Sequence, residues 1–275
     1  MHSKLSAGLV AGSLTALGLA ALGATPAAAI SPTTADLYVL HAVPAATVDV
    51  YVDGALTLDN FAPGTLAGPL DLPAGDYSVA ITASDAADAS APIIGPIDLT
   101  LAGGTSYTAV AHLGATGTPT ATLFTNDLDQ TAAGEGRLTV RHVAAAPAVD
   151  VLAGGSAVVT NLSNPAEATL DLAAGTVSAT VAATGTTAPV IGPADVAIQD
   201  GVNTIVYAWG SLADNNLALA VQTISGLQSA PNGIPAGEAG LAADVDATPF
   251  VAGGLALLAA LALVIGVAVR KSAAH

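Results

Sequence analysis

The chain states its main theme twice. LYVLHAVPAATVDVYVDG at residues 37–54 returns 101 positions later as LTVRHVAAAPAVDVLAGG at 138–155. Each copy carries a histidine (His41, His142) and, eight residues on, an aspartate (Asp49, Asp150). DLPAGDYSVAI (71–81) returns as DLAAGTVSATV (171–181), and APIIGPIDLTLAGG (91–104) as APVIGPADVAIQDG (188–201). TSYTAVAHLG (105–114) then matches VNTIVYAWG (202–210). Anchors that keep their order while the offset drifts from 101 to 97 describe a duplicated module with small loop deletions. A period near 100 residues is the size of a domain, too long for one unit of a solenoid.

Inside each copy, short runs rich in Val, Ile, Leu, Thr and Tyr alternate with breaks containing Pro, Gly and Asp, which is the pattern of β-strands. The first copy predicts strands near 37–42, 47–53, 66–72, 76–83, 96–101, 106–113 and 120–125. The second predicts them near 137–142, 148–153, 157–160, 168–172, 176–183, 194–199, 203–209 and 217–223. Seven or eight strands per module, spaced by roughly 8–12 residues, predict an all-β protein of two tandem sandwich modules, immunoglobulin-like or transthyretin-like. The modules are expected at 35–126 and 137–224, with a polar linker at 127–136.

The two ends read differently. Residues 1–29 have Lys4 near the start, an apolar run from Leu5 to about Gly23 and the small-residue sequence Ala27-Ala28-Ala29, the layout of a cleavable secretory signal. At the other end, Phe250 to Val269 is an uncharged, mostly aliphatic stretch; at 1.5 Å per residue it reaches about 30 Å, the hydrocarbon thickness of a bilayer. Arg270 and Lys271 follow, and basic flanks favour the cytoplasmic side. The expectation is an exported protein, single-pass in the plasma membrane. A C-terminal transmembrane helix at 250–269 would contact the lipid bilayer, with a short cytoplasmic tail at 270–275 and a flexible Pro/Gly/Ala-rich spacer at 225–249.

Composition adds limits on chemistry. All 21 Asp and Glu lie between Asp36 and Asp246, where only Arg137 and Arg141 oppose them. Such a field repels nucleic acid and anionic lipid head groups and keeps an Ala-rich chain in solution. With no cysteine, disulfides, thiol chemistry and Cys-based metal sites are excluded, so the modules must rest on their cores.

The three repeated motifs resemble a bacterial surface-protein family known as domain of unknown function 4397. Its repeats read V-H-A-S-P-D-A-P-A-V-D-V-Y-V-D-G, then L-P-A-G-x-Y-x-V, then L-x-A-G-x-x-Y-T. His41, Pro44, Asp49, Tyr51, Gly54, Pro73, Gly75, Tyr77, Gly104 and Tyr107 match in the first copy, and His142, Pro147, Asp150, Gly155 and Gly175 in the second. The loop after His41 is one residue shorter than the pattern, and the expected serine is Val43 or Ala144. Leu152, Val177 and Thr204 stand where the second copy would carry tyrosine. The resemblance implies a β-sandwich module on secreted or anchored proteins and no known reaction.

The repeated polar positions are the candidates for chemistry. Leu138, Val140 and His142 share one strand face while Thr139 and Arg141 share the other, so His142 ends the core-facing row; His41 is placed likewise. Asp49 and Asp150 lie between core-facing valines and point the opposite way, so strand alternation does not aim His and Asp at each other. Buried imidazoles bonded to loop backbone, with Asp fixing a turn or an edge, are the expected structural role. No G-x-S-x-G and no H-x-x-x-H occurs, and the Gly-Gly pairs at 103–104 and 154–155 sit between strands, so neither a hydrolase elbow, a helical zinc site nor a phosphate loop is indicated. Asn126, Asp127 and Asp129 at the junction, and Asp85 and Asp88 in a loop, are oxygen ligands that calcium could use, without an EF-hand pattern. Tyr38, Tyr51, Tyr107, Tyr207 and Trp209 are too sparse for a sugar-binding platform.

The reading is therefore a non-catalytic cell-surface protein without a cofactor. Its role would be adhesive, structural or ligand-binding, toward a cell-envelope component or another surface protein. The alternative is an extracytoplasmic metal-dependent or hydrolytic enzyme or sensor using the repeated His/Asp positions.

Overall fold

The structure, a computed structural model, describes residues 30–229. The predicted signal, the transmembrane segment, the tail and all but the first residues of the spacer lie outside the described residues. Among the described residues no helix is long and apolar enough to cross a membrane.

The described part is all-β. The first module contains β1 (Thr34–Ala42), β2 (Val48–Val52), β3 (Ala55–Phe61), β4 (Leu66–Pro73), β5 (Gly75–Ala83), β6 (Ile94–Leu101), β7 (Ser106–Leu113) and β8 (Pro119–Thr125). The second contains β9 (Glu135–Ala145), β10 (Val149–Ala153), β11 (Ser156–Leu162), β12 (Glu167–Ala173), β13 (Gly175–Ala183), β14 (Pro189–Ile198), β15 (Val202–Ser211) and β16 (Ala218–Ser225). Each module forms two four-stranded sheets, ordered β4-β1-β7-β8 and β3-β2-β5-β6, then β12-β9-β15-β16 and β11-β10-β13-β14. β1 with β7 and β9 with β15 are parallel pairs, and every other neighbouring pair of strands is antiparallel.

Eight strands per module replace the seven read in the first copy. The missed one is β3, ALTLDNF, exposed along most of its length; its Asp59 and Asn60 look like a break, and its burial is too slight to leave an apolar stripe. Asp53-Gly54, both at positive φ, make the tight turn that starts it.

Each pair of sheets closes over its own apolar core. In the first module Leu37 and Val39 of β1 pack with Val48 and Val50 of β2, Ile81 of β5 and Leu101 of β6. Leu138, Val140, Val149, Val151, Val181 and Ile198 do the same in the second. The repeated Ile-Gly-Pro has a steric reason. Gly95 and Gly192 have φ of 97° and 93° at bulges in β6 and β14. A Cβ there would lie 2.6 Å from the Val79 carbonyl oxygen or 2.8 Å from that of Ala179.

The decisive feature is a third cluster. Leu40, Ala42, Val110 and Phe124 of the first module pack with Val143, Ile205 and Tyr207 of the second. The other face of β4-β1-β7-β8 therefore lies on the other face of β12-β9-β15-β16. The sheets stack in four layers, and the middle strands of the central two, β1, β7, β9 and β15, are buried on both sides. That accounts for β9 and β15, which are buried at nearly every position instead of alternating. The predicted linker is held down as well: Thr131 bridges to Gln228, its amide donates to the Leu227 carbonyl at 2.8 Å, and Leu227 N–H donates to Gly201 O at 2.8 Å. The first residues of the predicted spacer thus form part of the second module's hydrogen-bonded framework.

Candidate functional site

Among the described residues, the buried polar groups include the repeated histidines, the repeated aspartates and those on the face between the modules.

The loop after each histidine turns back over it. His41 Nε2 donates to the Ala46 carbonyl at 2.7 Å, and His142 Nε2 donates to that of Pro147 at 3.0 Å. His41 also stacks on Phe61 with ring centroids 5.9 Å apart. His142 Nδ1 accepts a long bond from Ala144 N–H at 3.4 Å, whereas His41 Nδ1 is buried without a partner. His112 Nδ1 donates to Leu113 O at 2.9 Å, which leaves Nε2 to accept from the Thr122 hydroxyl at 2.9 Å. Each ring thus donates one N–H to a carbonyl. Burial lowers all three below the ordinary imidazole value of 6.5, and His142 lowers His112 further across the interface.

The aspartates face away from these rings. Asp49 Oδ1 accepts the backbone N–H of Asn60 at 2.8 Å, and Asp150 Oδ1 that of Asn161 at 2.8 Å. Asn60 and Asn161 sit at positive φ in matching bulges of β3 and β11, where the extra residue leaves its amide without a ladder partner. Asp150 Oδ2 also accepts Gly185 N–H at 2.8 Å. The amides of Asn161 and Gly185 hold the Asp150 carboxyl below the usual aspartate value of 3.8. The structure therefore does not join His41 to Asp49 or His142 to Asp150. Asn60 and Asn161 were legible in principle, since each lies eleven residues after its aspartate in both copies.

The calcium candidates at the junction are engaged by guanidinium groups. Arg137 lies 2.7 Å from Asp127 Oδ1, donates to the Asp129 carbonyl at 3.0 Å and forks onto Asp171 at 2.8 and 3.1 Å. Asp88 accepts the amide of Ser90 at 2.9 Å. Among the described residues no group of three or more His, Cys, Asp or Glu is placed to hold a metal ion.

The richest polar cluster joins the modules, and it leaves only a faint sign in the sequence. Arg141, 1% exposed, donates to Glu167 Oε2 at 2.7 Å, Tyr207 Oη at 2.8 Å, Asn126 Oδ1 at 3.1 Å and the Thr125 carbonyl at 3.3 Å. Its guanidinium carbon lies 4.4 Å from the centroid of Phe124. The Thr108 hydroxyl reaches Asn126 Oδ1 at 3.0 Å and Gln222 Oε1 at 3.1 Å, and Tyr207 donates to Gln222 Oε1 at 2.6 Å. Asn126 Nδ2 donates to Ser106 Oγ at 2.9 Å. A second tie is Asn164, whose Nδ2 bonds Leu113 O at 2.8 Å and Ala144 O at 2.6 Å, one carbonyl from each module. The available sign was that the only two cations between Asp36 and Asp246 share one face of one strand. These bonds tie the two facing surfaces together, and within the cluster Gln222 Nε2 is buried without a partner.

Residues 35–152 match the family model described as "Domain of unknown function (DUF4397)", the family that the repeated motifs resemble. The match spans the whole first module and continues through most of β10 of the second. No curated protein matches the chain.

Proposed function

We propose that this chain, which carries that domain of unknown function, is a non-catalytic cell-surface protein that holds two β-sandwich modules as one stiff block. The N-terminal segment would direct export and residues 250–269 would anchor the block to the bilayer, with the modules outside and the basic tail inside. The observation that carries the reading is the buried Arg141–Tyr207–Asn126–Gln222 junction, which suits a rigid spacer or presenting element better than two independent domains on a string. The strand order favours the transthyretin-like form of sandwich. An immunoglobulin constant domain arranges its strands ABED and CFG, whereas here the first, fourth, seventh and eighth strands share a sheet. The structural bonds made by His41, His142, Asp49 and Asp150 support a role without catalysis. A cell-envelope component or another surface protein is the class of partner, and the acidic surface disfavours nucleic acid.

Truncation before Phe250 tests the anchor: the protein should move from the membrane fraction to the medium, and continued membrane retention would overturn it. Replacing His41 or His142 by alanine tests the role of the rings. The expected result is a lower unfolding temperature that divalent cations do not restore. Retained stability with a lost metal-induced shift would favour a sensor instead.

A further inference from the structure

Both modules keep a small void in the core, but the two differ in size and in lining. The void in the second module is about 20 Å³, walled by Leu138, Val140, Val181 and other aliphatic groups, and does not touch His142. The void in the first is about 40 Å³ and reaches His41. His41 is 1% exposed, and its Nδ1 has no partner. Because Nε2 carries the proton that bonds Ala46 O, Nδ1 can only accept. In the second module the matching atom takes the Ala144 amide. A void lined by a histidine with an unpartnered acceptor thus occurs in one copy only. The exposed Thr57 and half-buried Leu58 of β3, with half-buried Leu70 of β4, also line it, so its way out runs between the edges of the two sheets.

Water fits such a place poorly. A buried water needs two to four polar partners. Besides His41 the only polar side chains lining this void are Thr57, which already donates to the Ala55 carbonyl, and Thr122, which is already bonded to His112. At roughly 12 Å³ per water-sized sphere, its volume suits about three to four non-hydrogen atoms. We propose that the interior of the first module is a binding site for a small aliphatic alcohol. The hydroxyl would donate to His41 Nδ1 and the alkyl part would lie against Val39, Val50, Ile81 and Ala111. The second module lacks the site, having neither the volume nor the free acceptor. The proposal is independent of the membrane anchor, which the truncation above tests separately.

The test uses the full chain labelled with ¹⁵N-histidine and 1-propanol as the probe. The His41 resonances are identified by their loss in His41→Phe. Saturable movement of the His41 Nδ1 resonance, with His142 unmoved, is expected. His41→Phe should weaken the propanol affinity read from the thermal-shift titration about five- to tenfold, the worth of one neutral hydrogen bond. Ala111→Val, which fills the void, should abolish both effects, and Ala121→Val from β8 serves the same purpose if the first variant does not fold. Three results would each overturn the proposal. They are parallel movement of His41 and His142, unchanged saturation in the filled variant, and an untreated protein whose His41 Nδ1 already resonates as a hydrogen-bonded acceptor, since a trapped water would then hold the site.

Discussion

The two central sheets occupy equivalent positions in their modules, yet their facing surfaces are written in different chemistry. In the first module Leu40 pairs with Val110 across β1 and β7, and Phe124 lies beside Thr108 across β7 and β8. At the matching positions of the second, Arg141 pairs with Tyr207 across β9 and β15, and Gln222 lies beside Ile205 across β15 and β16. An apolar trio thus meets a hydrogen-bonding trio. Two copies of the first surface would have no counterpart to the Arg141 fork, and two copies of the second would bury Arg141 against Arg141. Unlike surfaces make the first-to-second pairing specific, and Asn126 and Thr108 supply the acceptors and donors that the apolar side needs.

The largest effect should come from removing the cation at the centre. Arg141→Ala leaves Asn126, Tyr207 and Glu167 without their donor. It should cost about 2–4 kcal/mol in denaturant unfolding of the full chain, because buried Tyr207 and Asn126 each lose a charged donor while Glu167, 38% exposed, can turn to water. Arg141→Met should cost clearly less, because it keeps an unbranched apolar side chain in the buried space that alanine would leave empty. An equal loss in both variants would mean that the fork, and not the packing, carries the whole contribution.

Next in size is the contact of unlike chemistries. In a double-mutant cycle, Phe124→Leu and Arg141→Met should show a coupling of about 1–2 kcal/mol, the value of a desolvated cation–π pair. A coupling near zero would reduce Phe124 to simple filler.

Protons then separate the cores from the exposed edges. His41, His112 and His142 all titrate below 6.5 when folded, so the unfolded chain binds more protons between the folded values and 6.5. Their contribution is therefore fully present above pH 6.5 and is lost progressively as pH falls from 6.5 through the lower folded values. Asp150 acts in the same direction at lower pH, its contribution being lost as pH falls below 3.8 through its folded value. Melting temperature should accordingly fall from pH 7 toward pH 5. His112→Gln should flatten that part of the curve, and an unchanged slope would show that His112 stays hydrated.

The smallest effect lies at the rim. Asp36 pairs with Asp71 across β1 and β4, where the second module pairs Arg137 with Asp171. Partial burial raises the Asp36 carboxyl above its usual range, and Asp71 raises it further. Asp36→Arg should copy the second module's arrangement and stabilise the chain by about 0.5–1 kcal/mol, within the range of exposed pairs. A destabilised variant would show that Asp127 and Asp129, which sit beside Arg137, are needed for that pair to form.

The core was read from period two alone, because a strand buried on one side must alternate, and Leu138, Val140 and His142 do so. The same rule correctly sent Arg141 and Thr139 to the opposite face and stopped there, since alternation sorts faces without saying what covers them. Their cover is a second sheet. β3 was lost for the converse reason: a strand exposed on most of its length has no apolar stripe to announce it, although its counterpart β11 was read from Ala157-Val158-Val159. The histidine loops were legible as far as a need for a partner. Which carbonyl served, Ala46 or Pro147, depended on loop geometry.

By itself the sequence determined the duplication, the β class, the turns and which residues of each strand share a face. Each of these follows from local sterics and the pleat, which act within a few residues. Tertiary structure alone decided that the polar faces of β9 and β15 lie buried, that Asp49 and Asp150 hold bulges in place of meeting histidines, and that one core keeps a void beside His41. Those outcomes turn on contacts between residues up to 114 positions apart, Thr108 to Gln222 being the longest of the hydrogen bonds described above. Desolvation and packing across such a span depend on the finished surface of both modules, which no local pattern encodes.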